Sequence, residues 1–287
     1  MLWFCSAQCK SRPNPRLHKS AGKLHSVAMS FHRMWHTGFA AMALVANLAG
    51  ADAPAPGYRT NQSLHSSPAA PVALADRSTY LTAQSEELSR HWPTNRTMNI
   101  VCHGHSVPAG YFQTPRVESF NAYPHLLHRG LKERFPNAVL NVIVTAIGGE
   151  NSESGARRFA RDVLPLRPAL VTIDYGLNDR GLGLERAAAA WSQMIREAKQ
   201  AGIKVILLTP TPDTHAALGN PADPLNQHAE QIRRLAKENG LALVDSLAAF
   251  QQRVAAGEAL DSFMSQFNHP NRKGHQLVAG ELLKWWP

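Results

Sequence analysis

Ser106 and His269 are the residues of this 287-residue chain whose settings could support nucleophilic chemistry. Ser106 stands in Gly104-His105-Ser106, where a run of β-forming residues, 98–102, ends abruptly before Pro108 and Gly110 turn the chain away. A buried parallel strand ending in such a turn presents its serine hydroxyl at the carboxyl edge of a sheet, where open α/β sheets place their ligands. The hydroxyl is a poor nucleophile until a neighbouring base takes its proton. His269 is the best candidate base, because Pro270 and Asn271 hold it in a rigid turn just before a helical stretch. Attack on an acyl carbon creates an oxyanion, which needs preorganised donors. The Ser106 and Gly149 backbone N–H groups and the Asn178 side-chain amide are candidates, and glycine at 149 permits close approach of a substrate. Plainer readings stand beside these: Gly-His-Ser and Gly148-Gly149 as ordinary turns, and Asn178-Asp179 as a helix-capping pair.

The elements that must position these residues follow from the apolar pattern. Strand-like runs occur at 98–102, 139–146, 169–175, 203–208 and 241–244, separated by amphipathic stretches at 120–135, 152–164, 184–201 and 226–239, with a last helix at 272–286. Short apolar strands alternating with helices predict a mainly parallel five-stranded sheet covered on both faces, a three-layer α/β/α domain over 98–287. Residues 54–97 read as a Pro/Ala/Ser-rich linker followed by a helical arm at 78–91, stopped by Trp92-Pro93.

Charge and cysteines narrow the function class. The formal net charge is +9, but six of the basic residues (Lys10, Arg12, Arg16, Lys19, Lys23 and Arg33) lie in the first fifty positions, which hold no Asp or Glu. The remainder shows no clustered basic stripe, so nucleic acid is not an expected partner. Cys102 is the only thiol beyond the leader, no Cys/His spacing reads as a zinc site, and neither a metal nor a cofactor is implied. Residues 1–53 read as a basic leader with a signal peptide: an apolar run at 38–48 precedes small-x-small sites at Ala49-Gly50-Ala51 and Ala51-Asp52-Ala53, and Met29 or Met34 would be a sensible start. The run is too short to span a membrane, so stable insertion is not expected. Export to the periplasm or beyond follows if residues 29–53 act as a signal, and a cytoplasmic location if they do not.

Four short motifs fall at strand ends or beside the last helix: Gly104-His105-Ser106-Val107-Pro108-Ala109-Gly110, Ile147-Gly148-Gly149-Glu150-Asn151-Ser152, Tyr175-Gly176-Leu177-Asn178-Asp179, and Asn268-His269-Pro270-Asn271-Arg272-Lys273-Gly274-His275. In this order they resemble the four blocks of the SGNH (GDSL-type) esterase and acylhydrolase family, over roughly residue 98 to the carboxyl end. The resemblance implies a flavodoxin-like SGNH hydrolase fold. It also implies a serine esterase with Ser106 as nucleophile, His269 as base, and Ser106, Gly149 and Asn178 around the oxyanion. His275, one helical turn beyond His269, reads as a packing or hydrogen-bonding residue.

Two positions depart from the family pattern. His105 stands where the family usually has Asp; an imidazole is not expected to accept the backbone bonds of a carboxylate, and His105 is a candidate substrate contact. Gln266 stands where the family's acid precedes the histidine. The expectation is a Ser106–His269 dyad oriented by Gln266 or by a backbone carbonyl, with Asp261, Asp245 and Asp174 as alternative sources of a carboxylate. The expected substrate is a small-molecule or carbohydrate ester, with a short acyl group and O-acetyl on carbohydrate as the finer reading. A non-catalytic ligand-binding domain on the same fold, and acyl transfer to a sugar hydroxyl, remain alternatives.

Overall fold

The computed structural model describes residues 73–286, which fall in one compact unit. The leader and most of the linker expected over 1–72 lie outside the described residues. In chain order the elements are helix α1 (Thr82–Leu88), strand β1 (Thr97–Gly104), the short helix α2 (Ser106–Ala109), α3 (Tyr123–Arg134), β2 (Val139–Val144), α4 (Ser152–Asp162), β3 (Leu170–Asp174), α5 (Leu184–Gln200), β4 (Lys204–Leu208), α6 (Pro224–Asn239), β5 (Ala242–Val244), α7 (Ser246–Ala255), β6 (Met264–Gln266), β7 (His269–Pro270) and α8 (Arg272–Leu283).

Strands β1 to β5 form one parallel sheet in the order β2-β1-β3-β4-β5. The order reverses between β1 and β3, and such a switch point opens a crevice beyond the carboxyl ends of the two strands. Both faces are apolar, as an all-parallel sheet requires. Ile100 and Cys102 of β1, with Ile206 and Leu208 of β4, join one core with α3, α7 and α8. Val101, Val171, Val205 and Leu207 join the other, with α4 and α5. Helix α5 shows why these segments are helical: Ala187, Ala190, Trp191, Met194, Ile195 and Ala198 recur at three- and four-residue spacing and all are buried. Each fully buried large side chain among them contributes about 1.5–3 kcal/mol of transfer free energy.

The helical arm is shorter than 78–91, and its Leu81 and Leu88 are buried in the same core as Ile100 and Tyr123. The Tyr80 hydroxyl donates to the Val205 carbonyl (2.9 Å), which ties this segment to β4. Among the described residues no helix is long and apolar enough to cross a membrane. Cys102 is fully buried and burial pushes its thiol up to about 12, so it packs as a small apolar residue.

Candidate active site

Three of the four motifs meet because their strands are neighbours. The turn after β1 carries Ser106, the loop after β2 carries Gly149, and the loop after β3 carries Asn178. Gly104 and Asp174 are paired in the β1–β3 ladder, and a Cβ at Gly104 would lie 2.5 Å from the Asp174 carbonyl oxygen and 2.7 Å from Pro108 Cγ. Only glycine lets the Ser106 turn fold back this closely.

The fourth motif arrives on the β6–β7 hairpin. His269 Nε2 lies 3.0 Å from Ser106 Oγ, and both side chains are buried. The other ring nitrogen, Nδ1, donates to the Phe112 carbonyl oxygen at 3.1 Å. A carbonyl oxygen only accepts, so Nδ1 carries the hydrogen and the Nε2 lone pair faces the serine hydroxyl. Burial lowers the His269 pKa below the ordinary 6.5; the Phe112 carbonyl opposes this and the neighbouring His105 adds to it. The imidazole is therefore an unprotonated acceptor at neutral pH.

Gln266, the cross-strand partner of His269, makes no hydrogen bond to this imidazole. Its Oε1 accepts from the Thr114 N–H (2.9 Å) and its Nε2 reaches Asn268 Oδ1 (3.4 Å), so its carboxamide fastens the hairpin to the segment after Phe112. The orienting group is the backbone carbonyl. None of the three alternative carboxylates contacts His269 either. Asp261 is exposed in a short turn, Asp245 caps α7 and is bridged to Arg233, and Asp174 faces His105.

His105 also departs from expectation. It is fully buried, so it is not a substrate contact, and its Nδ1 accepts from the Val107 N–H at 3.2 Å. The imidazole thus does what a capping carboxylate would do, using one lone pair. Ser106 Oγ is 3.4 Å from the same nitrogen, longer than its 3.0 Å contact with His269.

The donor side of the site has two supports. The Ser106 and Gly149 N–H groups have no hydrogen-bond partner among the described residues. Gly149 holds φ +81°, which favours glycine, and the space before its Cα is open. Asn178 stands at the N-cap position of a short 3-10 turn but its side chain makes no capping bond; one hydrogen of its amide goes to the Glu150 carbonyl oxygen (2.8 Å), leaving the other free. Behind this loop Arg158, almost fully buried, bonds Glu150 Oε2, the Thr145 carbonyl (2.6 Å) and the Tyr175 hydroxyl (3.0 Å). Asp179 accepts from Ser152 N (2.8 Å) and Trp191 Nε1 (2.7 Å), stapling the second motif to the third; burial raises its pKa and these bonds oppose the rise. No sequence motif marks Arg158 or the Phe112 carbonyl, which only the fold brings to the site. His275 is buried and accepts from the Tyr123 N–H (3.2 Å).

The family model for GDSL-like lipases and acylhydrolases matches residues 102–277. The chain belongs to that family. It is an ester hydrolase of the SGNH type, and its sheet and helix layers are those of SGNH hydrolases. An acetylxylan esterase of Geobacillus stearothermophilus is 25% identical over 174 residues, covering 54% of this esterase and 75% of the relative. The crystal structure of an acetylxylan esterase from that organism superposes with a TM-score of 0.57 at 21% identity, over 66% of this chain and 94% of the other. An alpha/beta hydrolase enzyme from the metagenome of Lake Arreo also gives 0.57, at 24% identity and the same coverage. Among the described residues no group of three or more His, Cys, Asp or Glu side chains could hold a metal ion.

Proposed function

We propose that this esterase removes short acyl groups, acetyl above all, from carbohydrate hydroxyls through an acyl-enzyme on Ser106. The observation that carries the reading is the 3.0 Å contact between Ser106 Oγ and a His269 ring whose other nitrogen is committed as donor to the Phe112 carbonyl. Ser106 Oγ attacks the acyl carbon while its proton passes to His269 Nε2. The charge that develops on the acyl oxygen is met by the Ser106 and Gly149 N–H groups and the free N–H of Asn178. Collapse of the tetrahedral adduct breaks the bond to the sugar oxygen, which takes the proton from Nε2. Water then gives a proton to the same nitrogen and attacks the acyl-enzyme, and the serine recovers its proton as the acid leaves.

The carbohydrate part draws on the acetylxylan esterase likeness and on one feature of the surface. A polar hollow of about 470 Å³ opens beside Asn178, lined by Arg180, His215, Ala216 and Asp223 among others. Arg180 is paired with Asp213 at 2.7 Å, which neutralises its charge while fixing its direction. The His215 ring lies stacked on exposed Phe267, centroids 4.9 Å apart and 15° from parallel. A polar floor with a flat aromatic edge, and with Asp223 as a carboxylate left over once Arg180 is paired, suits an uncharged polyol better than an acid or a long acyl chain.

The test is acetate release from p-nitrophenyl acetate and from acetylated xylooligosaccharides. Wild type is expected to act on both, and Ser106→Ala and His269→Ala on neither. Equal rates for wild type and Ser106→Ala would overturn the mechanism, and activity on the aryl ester alone would overturn the carbohydrate reading.

A further inference from the structure

The side chain next to the nucleophile has a partner on the neighbouring strand. His105 Nε2 lies 3.5 Å from Asp174 Oδ1, and the two side chains are 0% and 3% exposed. Neither atom makes a hydrogen bond among the described residues, so the 3.5 Å approach is an ionic-range contact, and the Tyr123 hydroxyl also lies against Asp174. The pairing follows from register: Gly104 stands opposite Asp174 in the β1–β3 ladder, so the next side chain of β1 crosses onto the end of β3. A buried N–H and a buried carboxylate oxygen without other partners are costly unless they serve each other.

From this geometry we infer that Asp174 and His105 form a positioning pair for the nucleophile, acting through the tautomer of His105. The pair rests on the reading of Ser106 as the attacking group. Val107 N–H donates to His105 Nδ1, which must therefore be unprotonated, so the single ring hydrogen belongs on Nε2, where Asp174 receives it. The opposite tautomer would put two hydrogens face to face between Nδ1 and the Val107 N–H, and would take the imidazole hydrogen away from Asp174, leaving the Tyr123 hydroxyl as the donor beside it. Asp174 thereby keeps the cap of the Ser106 turn in its accepting form. Holding Nδ1 on Val107 also keeps it from competing for the serine hydrogen, which is 0.4 Å farther from it than from His269. The serine hydroxyl is left with one acceptor.

The pair is tested in two ways. The first needs only wild-type protein: nitrogen-15 spectra of histidine-labelled enzyme, with His105 assigned, should show a protonated Nε2 and an unprotonated Nδ1 at neutral pH. A protonated Nδ1 would overturn the proposal whatever the activity. The second is a double-mutant cycle on p-nitrophenyl acetate. Asp174→Ala in the His105 enzyme should lower kcat on the order of 10–100-fold with little change in KM, the size expected when an attacking atom loses its placement. In a His105→Asn background the capping atom is an amide oxygen, which accepts from Val107 N–H without a tautomer to fix. There Asp174→Ala should cost only a few-fold. Equal losses in both backgrounds would mean that Asp174 merely supports the fold, and the pair would be abandoned. Loss of all activity in Ser106→Ala is the separate control for the nucleophile itself.

Discussion

His269 Nδ1 donates to the carbonyl oxygen of Phe112 at 3.1 Å, so the imidazole is oriented from the segment that follows the Ser106 turn. The Ser265 hydroxyl reaches the same oxygen at 3.1 Å, and Gln266 holds the neighbouring Thr114. A carbonyl fixes the tautomer as a carboxylate would, but its partial charge stabilises the imidazolium less. Gln266→Ala should therefore leave kcat within a few-fold of wild type, as should Asp261→Ala, when hydrolysis of p-nitrophenyl acetate is measured. A loss on the order of 10² or more from either change would restore a direct side-chain partner to His269.

The pH dependence of turnover follows from the burial of His269. Its pKa is lowered from 6.5, chiefly by desolvation, so the unprotonated base persists to lower pH than an exposed histidine would allow. The acid limb of kcat/KM should have its midpoint below 6.5. A midpoint above 6.5 would mean that a nearby carboxylate stabilises the imidazolium in the free enzyme.

How much of this was legible in the sequence depends on the kind of group. The five strands were readable because both faces are apolar and a glycine follows three of the runs within two residues; the strand bounds differ from expectation by at most two residues. Helix α7 was not singled out: Asp245 begins it as N-cap, accepting from Ala248 N–H, yet it directly follows β5 and reads as a strand end. Ser106, Asn178 and His269 were legible as candidates because side-chain chemistry marks them, and Gly149 because glycine suits its φ of +81°. The Phe112 carbonyl was not, since every residue has one and only the fold selects it. His105 was misread because an imidazole has one lone pair to a carboxylate's several; one suffices where the turn needs a single acceptor for Val107 N–H.

Acid should destabilise the fold through two buried histidines. His103 is wedged against Phe159 and Tyr175, and His275 lies beneath Tyr123; burial, the largest cause for each, lowers both pKa values to about 3. Both are neutral when folded and protonate near 6.5 once unfolded, so the unfolded chain binds more protons between those values. Stability should fall as pH drops from about 6.5 towards 3, by about 1.4 kcal/mol per pH unit for each group. Urea unfolding across that range measures it. His275→Asn, which keeps an acceptor for Tyr123 N–H, should reduce the slope by one proton; an unchanged slope would show that His275 is already protonated in the fold.

Arg158 predicts a catalytic effect from a side chain that no substrate reaches. It bonds the Thr145 carbonyl, the Tyr175 hydroxyl, Asp162 and Glu150, and the Glu150 carbonyl in turn holds Asn178. Arg158→Lys cannot span all four and should loosen the Gly149–Asn178 donors together. We expect kcat to fall about tenfold with KM nearly unchanged, less than the 10²–10³ of deleting one donor outright. A rise in KM at constant kcat would place the effect in substrate binding instead.

The hollow beside Asn178 separates the two halves of the substrate. Arg180 is held by Asp213 and by the Leu177 carbonyl (2.9 Å), and Phe267 sits two residues before His269, so the floor and rim are anchored to the motifs that carry the chemistry. A small aryl acetate places little beyond its acyl group near these residues, whereas an oligosaccharide must lie across them. Phe267→Ala removes the flat partner of His215, and Arg180→Ala removes a fixed donor and leaves Asp213 with an unbalanced charge. Each should raise KM for acetylated xylooligosaccharide about tenfold, as expected for losing roughly 1.4 kcal/mol of binding, while kcat/KM for p-nitrophenyl acetate stays within a few-fold. If both substrates lose equally, the residues support the catalytic loops; if neither does, the sugar lies elsewhere on the carboxyl edge of the sheet.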